Sequence, residues 1–209
     1  MTDHRDKRQR PIGIVGAGLM GGGIAALICA AGLPVKLYDE DAVQLSSLED
    51  RVKTIVNELE TYGLAEPGTT HKSTDRLEIL HDYSGCEGSV AVIEAVFEDP
   101  EIKAAVYSQV EKYIDTHTIL ATNTSNIVPS DLIGGMQHPE RFLVIHFWNP
   151  PHAIPLVEIV PHSQTSSKII HEAVELVKII GNEPVVLSKE VAGFIGNRLQ
   201  YALLREALW

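Results

Sequence analysis

Ile12-Gly13-Ile14-Val15-Gly16-Ala17-Gly18-Leu19-Met20-Gly21 decides the fold. A short apolar run enters a glycine cluster, and Ile24 to Ala31 then continues as a helix of small apolar residues. Gly32 stands where a left-handed residue closes such a helix. This is strand, turn and helix, with the glycines spaced GxGxxG. The first glycine makes the turn, the second lets the backbone approach a pyrophosphate, and the third lets helix pack on strand. The N–H groups of the helix then face the phosphates. Leu19 and Met20 fill the variable positions of this turn. Val35 to Tyr38 reads as the next strand, and Asp39 ends it 23 residues after Gly16. A carboxylate there can accept from both ribose hydroxyls and would repel a 2′-phosphate, so NAD is expected rather than NADP. Taken alone, Asp39 reads equally well as a solvated residue at a strand end.

Outward from this unit, Ala42 to Tyr62 carries helical spacing at Leu45, Leu48, Val52, Ile55, Val56 and Leu59. A polar loop is expected over 65–75. Strands are expected at 77–80, 90–93, 118–122, 141–147, 156–160 and 185–187. A helix should start at Pro100, capped by Asp99, and run to about Ile114, and another should span Ser166 to Ile180. Strands alternating with helices predict an α/β fold: a doubly wound, Rossmann-type, mostly parallel sheet with helices on both faces. Residues 11–192 form this NAD-binding domain. Residues 1–10 read as a charged, solvated arm.

Composition excludes several functions. The 209 residues include 17 Lys and Arg against 28 Asp and Glu, a net charge of −11. No broad cationic surface exists for nucleic acid. Cys29 and Cys86 are too few and too far apart for a zinc knuckle, a CxxC pair or a disulfide framework, so a reducing, cytoplasmic setting is expected. No apolar stretch approaches the roughly 20 residues of a bilayer span.

The chemistry-bearing residues lie beyond the dinucleotide unit. His146 shares a strand face with Phe142 and Val144 by alternation, which by itself fits a satisfied core histidine. Glu158, however, interrupts the apolar strand Leu156-Val157-Glu158-Ile159-Val160. An unpaired buried carboxylate costs several kcal/mol, on the order given by transfer data. Glu158 therefore needs a partner, and His146 is the candidate. A glutamate holding one ring nitrogen fixes the tautomer and leaves the other free to take a proton. Ser125, in Thr122-Asn123-Thr124-Ser125-Asn126, follows a strand at the ligand-bearing edge of the sheet, where it serves either a substrate oxygen or a turn. Glu98 and Lys103 flank the helix at Pro100. A lysine in a first turn opposes the helix dipole and points to an anionic partner, unless it is simply solvated.

Taken together, the run from Gly16 to Asp39, Glu94-Ala95-Val96-Phe97-Glu98 with Lys103, Asn123-Thr124-Ser125, His146-Phe147-Trp148-Asn149-Pro150, Glu158 and Gly193-Phe194-Ile195-Gly196-Asn197-Arg198 resemble the 3-hydroxyacyl-CoA dehydrogenase family. That resemblance implies an NAD-dependent oxidoreductase without a metal. In it His146 is the general base and Glu158 its orienting carboxylate. Ser125 and Asn197 position the substrate and nicotinamide, and Glu98, Lys103, Asn123 and Asn149 contact the cofactor. It further implies a hydroxyacyl substrate and a homodimer formed through a C-terminal helical domain. Residues 193–209 read as the start of that domain, so the chain is expected to stop inside it. The stretch Asn57-Glu58-Leu59-Glu60-Thr61-Tyr62 is acidic where the family carries basic residues toward CoA phosphates. Asn149-Pro150-Pro151, Ile154 to Glu158 and Asn197 to Tyr201 are also similar to gulonate dehydrogenases of the lambda-crystallin type and to carnitine dehydrogenases, which act on free hydroxy acids. Three functions therefore remain open: hydroxyacyl-CoA dehydrogenase, dehydrogenase of a small free hydroxy acid, and non-catalytic NAD-binding or crystallin-like protein.

Overall fold

The computed structural model describes residues 10–208; apart from Arg10, the charged arm lies outside them. Eight strands form one sheet in the order β3-β2-β1-β4-β5-β6-β7-β8. They are β1 (Ile12–Val15), β2 (Val35–Tyr38), β3 (Leu77–Ile79), β4 (Ala91–Glu94), β5 (Ile119–Thr122), β6 (Phe142–Phe147), β7 (Leu156–Val160) and β8 (Glu183–Val186). All neighbours are parallel except β6 and β7, which run antiparallel and set His146 directly opposite Glu158. The first six strands carry the reversal of order between β1 and β4 that opens a ligand crevice at the carboxyl edge of the sheet.

The central strands are apolar on both sides because helices cover both faces. Ile14, Ile93, Ala121, Leu143 and Ile145 pack under α1 (Leu19–Ala30), α3 (Leu48–Thr61) and α6 (Ser167–Ile180). Val92, Leu120 and Phe142 turn the other way, onto Val106, Tyr107 and Val110 of α5 (Pro100–Val110). α1 is buried along nearly its whole length, which is why its residues are small. Gly32 adopts φ +80° and donates to the carbonyl of Cys29, closing α1 as expected.

Several element boundaries differ from the sequence reading. The helix expected over 42–62 breaks at Ser47 into α2 (Ala42–Ser46) and α3. The hydroxyls of Ser46 and Ser47 donate back to the carbonyls of Val43 and Gln44, local bonds of the kind that compete with helix continuation. The polar segment 65–75 holds a one-turn helix, α4 (Thr69–Lys72). Glu60 organises it, accepting from the Gly68 amide at 2.6 Å and the Thr70 amide at 3.0 Å. The Thr70 hydroxyl and these amides lower the Glu60 carboxyl to about 2. One of the acidic residues that weakened the CoA resemblance is thus a structural clamp. α5 ends at Val110, four residues early, and β8 starts at Glu183 rather than Val185.

After β8 the chain turns into α7 (Gly196–Ala207), which has no buried residue. Among the described residues no helix is long and apolar enough to cross a membrane.

Candidate active site

The glycine turn has the shape its sequence demands. Gly16 sits at φ +109°, and a Cβ there would come within 2.5 Å of the Ala95 carbonyl oxygen. A Cβ on Gly21 would fall 1.8 Å from the Gly16 carbonyl oxygen, so only glycine lets α1 approach β1. At Gly18 the backbone is ordinary and nothing lies within 4 Å of a built Cβ. That open space above a helix N-terminus fits a pyrophosphate. Asp39 reaches back from the end of β2: its Oδ2 accepts from the Ala17 amide at 2.5 Å and its Oδ1 from the Asp41 amide at 2.8 Å. Gly18→Ala should therefore leave the melting temperature unchanged while weakening NAD binding by at least about tenfold, or 1.4 kcal/mol. Thermal unfolding and fluorescence titration check this, and unaltered affinity would remove Gly18 from the cofactor surface.

His146 and Glu158 meet across the antiparallel pair, Nδ1 to Oε2 at 2.8 Å. Both are buried, at 5% and 1% exposure. An ionised carboxylate only accepts, so the hydrogen lies on Nδ1. His146 Nε2 has no partner among the described residues. The ring is flanked by Trp148 and Phe194, with centroids 5.5 and 5.6 Å away.

The other Glu158 oxygen, Oε1, accepts from the amides of Ile195 and Gly196, each at 2.9 Å. Phe194, with φ +49°, shapes the turn that aims those amides. Burial pushes the Glu158 carboxyl up, but the bonds from His146, Gly196 and Ile195 outweigh it and hold the group below the usual carboxylate range. A depressed carboxyl stabilises the folded state above its unfolded pKa, and that contribution is lost as pH falls through the folded value.

A 300 Å³ cleft at the carboxyl edge of the sheet brings together Met20, Glu98, Lys103, Asn123, Ser125, His146 and Asn149. Leu19 is exposed at the start of α1. Asn123 is fixed by accepting from the Phe147 amide at 2.9 Å. Asn197 lies apart from this cleft, in an adjoining cavity that shares Ser125, and its side-chain amide donates to the Ser125 carbonyl at 3.1 Å.

Lys103 finds its anions within the chain. At 1% exposure, its Nζ lies 2.8 Å from Glu94 and 3.2 Å from Glu98. Glu94 also accepts from the Tyr107 hydroxyl at 2.7 Å, the Thr122 hydroxyl at 2.8 Å and the Val96 amide at 2.8 Å. Glu98 in turn accepts from the Thr124 hydroxyl and, at 3.3 Å, from the Ser125 amide. The network runs from the core under α5 up to Ser125. Glu94, Thr122 and Thr124 stand in the quoted motifs but carry no assigned role in the sequence reading, although Glu94 ends an apolar strand just as Glu158 interrupts one.

Arg51 turns inward from α3 and donates to the carbonyls of Ala17 at 2.7 Å and Gln44 at 2.8 Å.

Residues 11–191 match the family model described as "3-hydroxyacyl-CoA dehydrogenase, NAD binding domain". The chain belongs to this family. It is 38% identical over 201 residues to the lambda-crystallin homolog of Homo sapiens, covering 93% of this chain and 61% of that protein. It is 36% identical over 199 residues to 5-formyl-3-hydroxy-2-methylpyridine 4-carboxylate 5-dehydrogenase of Mesorhizobium japonicum, covering 95% of this chain and 64% of that one. The structure of (S)-3-hydroxybutyryl-CoA dehydrogenase from Ralstonia eutropha superposes with a TM-score of 0.88 at 29% identity, covering 95% of this chain and 70% of that one. The chain thus carries the NAD-binding domain of the 3-hydroxyacyl-CoA dehydrogenase family and spans about three fifths of the length of the lambda-crystallin homolog.

Proposed function

We propose that the protein is an NAD-dependent dehydrogenase that oxidises a hydroxyl at carbon 3 of an acyl substrate, with His146 as general base and Glu158 as its positioning residue. The observation that carries this is the 2.8 Å His146–Glu158 contact behind a cleft that Met20 of the glycine turn also lines. When bound, NAD⁺ supplies the hydride acceptor. The chain's own residues handle the proton. Glu158 holds Nδ1–H and so leaves the Nε2 lone pair of a neutral ring facing the cleft, where it accepts the hydroxyl proton as the C–H bond is lost. In the reverse direction the same nitrogen returns that proton.

Other residues bind and orient. Ser125 offers a hydroxyl to the substrate oxygen, and Asn197, tied to the Ser125 backbone, fixes that loop against α7. Asp39 lies where a ribose would be held. Glu98, Asn123 and Asn149 line the cofactor side of the cleft, and Lys103 acts on that side by holding Glu98 from beneath.

The test is NADH absorbance in the full-length protein with a panel of 3-hydroxy acids and their CoA thioesters. NAD reduction by a 3-hydroxy substrate is expected. NAD binding with no reduction by any panel member would instead make the protein a non-catalytic dinucleotide-binding module.

A further inference from the structure

We infer that Trp148 and Gly196 are a matched pair of positioning residues for the hydride-transfer site: the indole fills the space that a side chain at 196 would take and so seats the turn before α7 on Glu158. This rests on the reading of His146 as base and adds to it two residues that do not line its cleft. Val144, His146 and Trp148 alternate onto one face of β6 and its extension. Val160 and Glu158 lie opposite Val144 and His146 in register. Phe194, fully buried, anchors the turn by packing with Val144, Val160 and Leu187.

Gly196 opens α7 with a φ outside the left-handed region, so its conformation does not call for glycine. Space does. A Cβ built there would overlap Cζ2 of Trp148 and lie 2.8 Å from its Cη2 and 3.1 Å from its Cε2. The six-membered ring of the indole therefore rests directly on the Gly196 backbone, the close approach for which a glycine is worth its cost in chain entropy. The same indole stands against the His146 ring, with centroids 5.5 Å apart. One side chain thus packs on both the base and the turn.

The first amides of a helix have no acceptor within it. Those of Ile195 and Gly196 donate instead to Glu158 Oε1, at 2.9 Å each, which leaves Oε2 for His146 Nδ1 at 2.8 Å. Glu158 is held at both oxygens, so its orientation and its charge depend on where the turn sits. His146 on β6 is its titratable neighbour, the turn presents the two amides, and β8 sets the apolar Val185 beside it in register. Moving the turn would withdraw two donors, raise the carboxyl and loosen the bond that keeps the hydrogen on Nδ1.

The experiment compares the full-length protein with Gly196→Ala, Trp148→Leu and the two combined. Gly196→Ala should lower kcat by about 10–100-fold, the scale of misplacing a catalytic group by about 1 Å, with NADH affinity kept. The acid limb of its kcat/KM profile, set by protonation of the His146–Glu158 pair, should move to higher pH. The downfield proton resonance of His146 Nδ1–H, assigned by its absence in His146→Gln, should weaken or shift. Trp148→Leu alone should also lower kcat, because the turn loses its wall. The combined variant has room for the methyl group, so it should exceed the product of the single effects by about tenfold and regain the resonance. Unchanged kcat, limb and resonance in Gly196→Ala would overturn the proposal, as would losses that simply multiply in the combined variant. Should Gly196→Ala fail to fold, a folded combined variant that shows the resonance supports the matched pair, and one that fails to fold as well overturns it. If the unsubstituted protein forms no NADH with any 3-hydroxy substrate, the resonance alone decides the positioning and only the dehydrogenase reading fails.

Discussion

His146→Gln is expected to lower turnover in the full-length protein by about 10²–10⁴-fold, the usual contribution of a positioned general base, while NAD affinity stays the same. Glutamine is the informative replacement because its amide nitrogen can still donate to Glu158 Oε2, which His146 holds at 2.8 Å. Glu158 also keeps the Ile195 and Gly196 amides on its other oxygen, so no buried charge is orphaned. What glutamine lacks is a basic lone pair at the position of Nε2. The groups proposed to bind the cofactor backbone, the Gly16–Gly21 turn and Asp39, stand on β1, α1 and β2 and are untouched by the change. Steady-state NADH absorbance and a fluorescence titration with NADH separate the two effects. Turnover within a factor of three of the unsubstituted protein would dismiss His146 as the base. A parallel loss of NADH affinity would show that the ring acts by supporting the cleft.

The sequence held much of this arrangement because two of its devices are local and one is costly. The glycine turn is local: Gly16 and Gly21 are glycines because a Cβ at either would strike backbone. The cap at Asp99, which accepts from the Glu101 and Ile102 amides ahead of Pro100, is local too. Glu158 was legible through cost, since a carboxylate among Leu156, Val157, Ile159 and Val160 must be paired, and the strand order put His146 opposite it. The same reasoning applies to Glu94 at the end of Ala91-Val92-Ile93, but its partners, Lys103, Tyr107 and Thr122, come from α5 and β5. Nothing in a linear reading sets the distance between those elements. Lys103 in a first turn looked outward by the dipole argument, whereas its long stem folds under α5 to reach two carboxylates. Arg51 escaped for a related reason: it lies three residues from the buried Leu48, at the edge of the apolar stripe of α3, and spacing does not say which way its side chain bends. The turn at Phe194 was hidden because its left-handed backbone occurs at a residue that rarely adopts one.

Lys103→Met should destabilise the fold by about 3–5 kcal/mol, the range for removing one partner of a buried ion pair. For a domain of this size that corresponds to a fall in melting temperature on the order of 10 °C. Methionine fills the volume of the aliphatic stem without the ammonium, so the loss reports charge rather than a cavity. Glu94, with no exposed surface, is left with the Tyr107 and Thr122 hydroxyls and the Val96 amide. Burial and the negative charge of Glu94 hold the Tyr107 hydroxyl well above its ordinary range, so it stays a neutral donor and cannot replace the missing cation. Glu98, partly exposed, loses less because water can reach it. The double variant Glu94→Leu with Lys103→Met separates this account from simple disruption: with both charges gone, the loss should fall short of the sum of the two single losses, the thermodynamic cycle showing a coupling of about 2–3 kcal/mol. A single-variant loss below 1 kcal/mol, or strict additivity in the cycle, would mean that the pair is effectively solvated. Cofactor contact is read separately, from the rise in melting temperature on adding saturating NADH. If Lys103 acts only by holding Glu98, that rise shrinks modestly in Lys103→Met; its complete loss would place the ammonium itself against the cofactor.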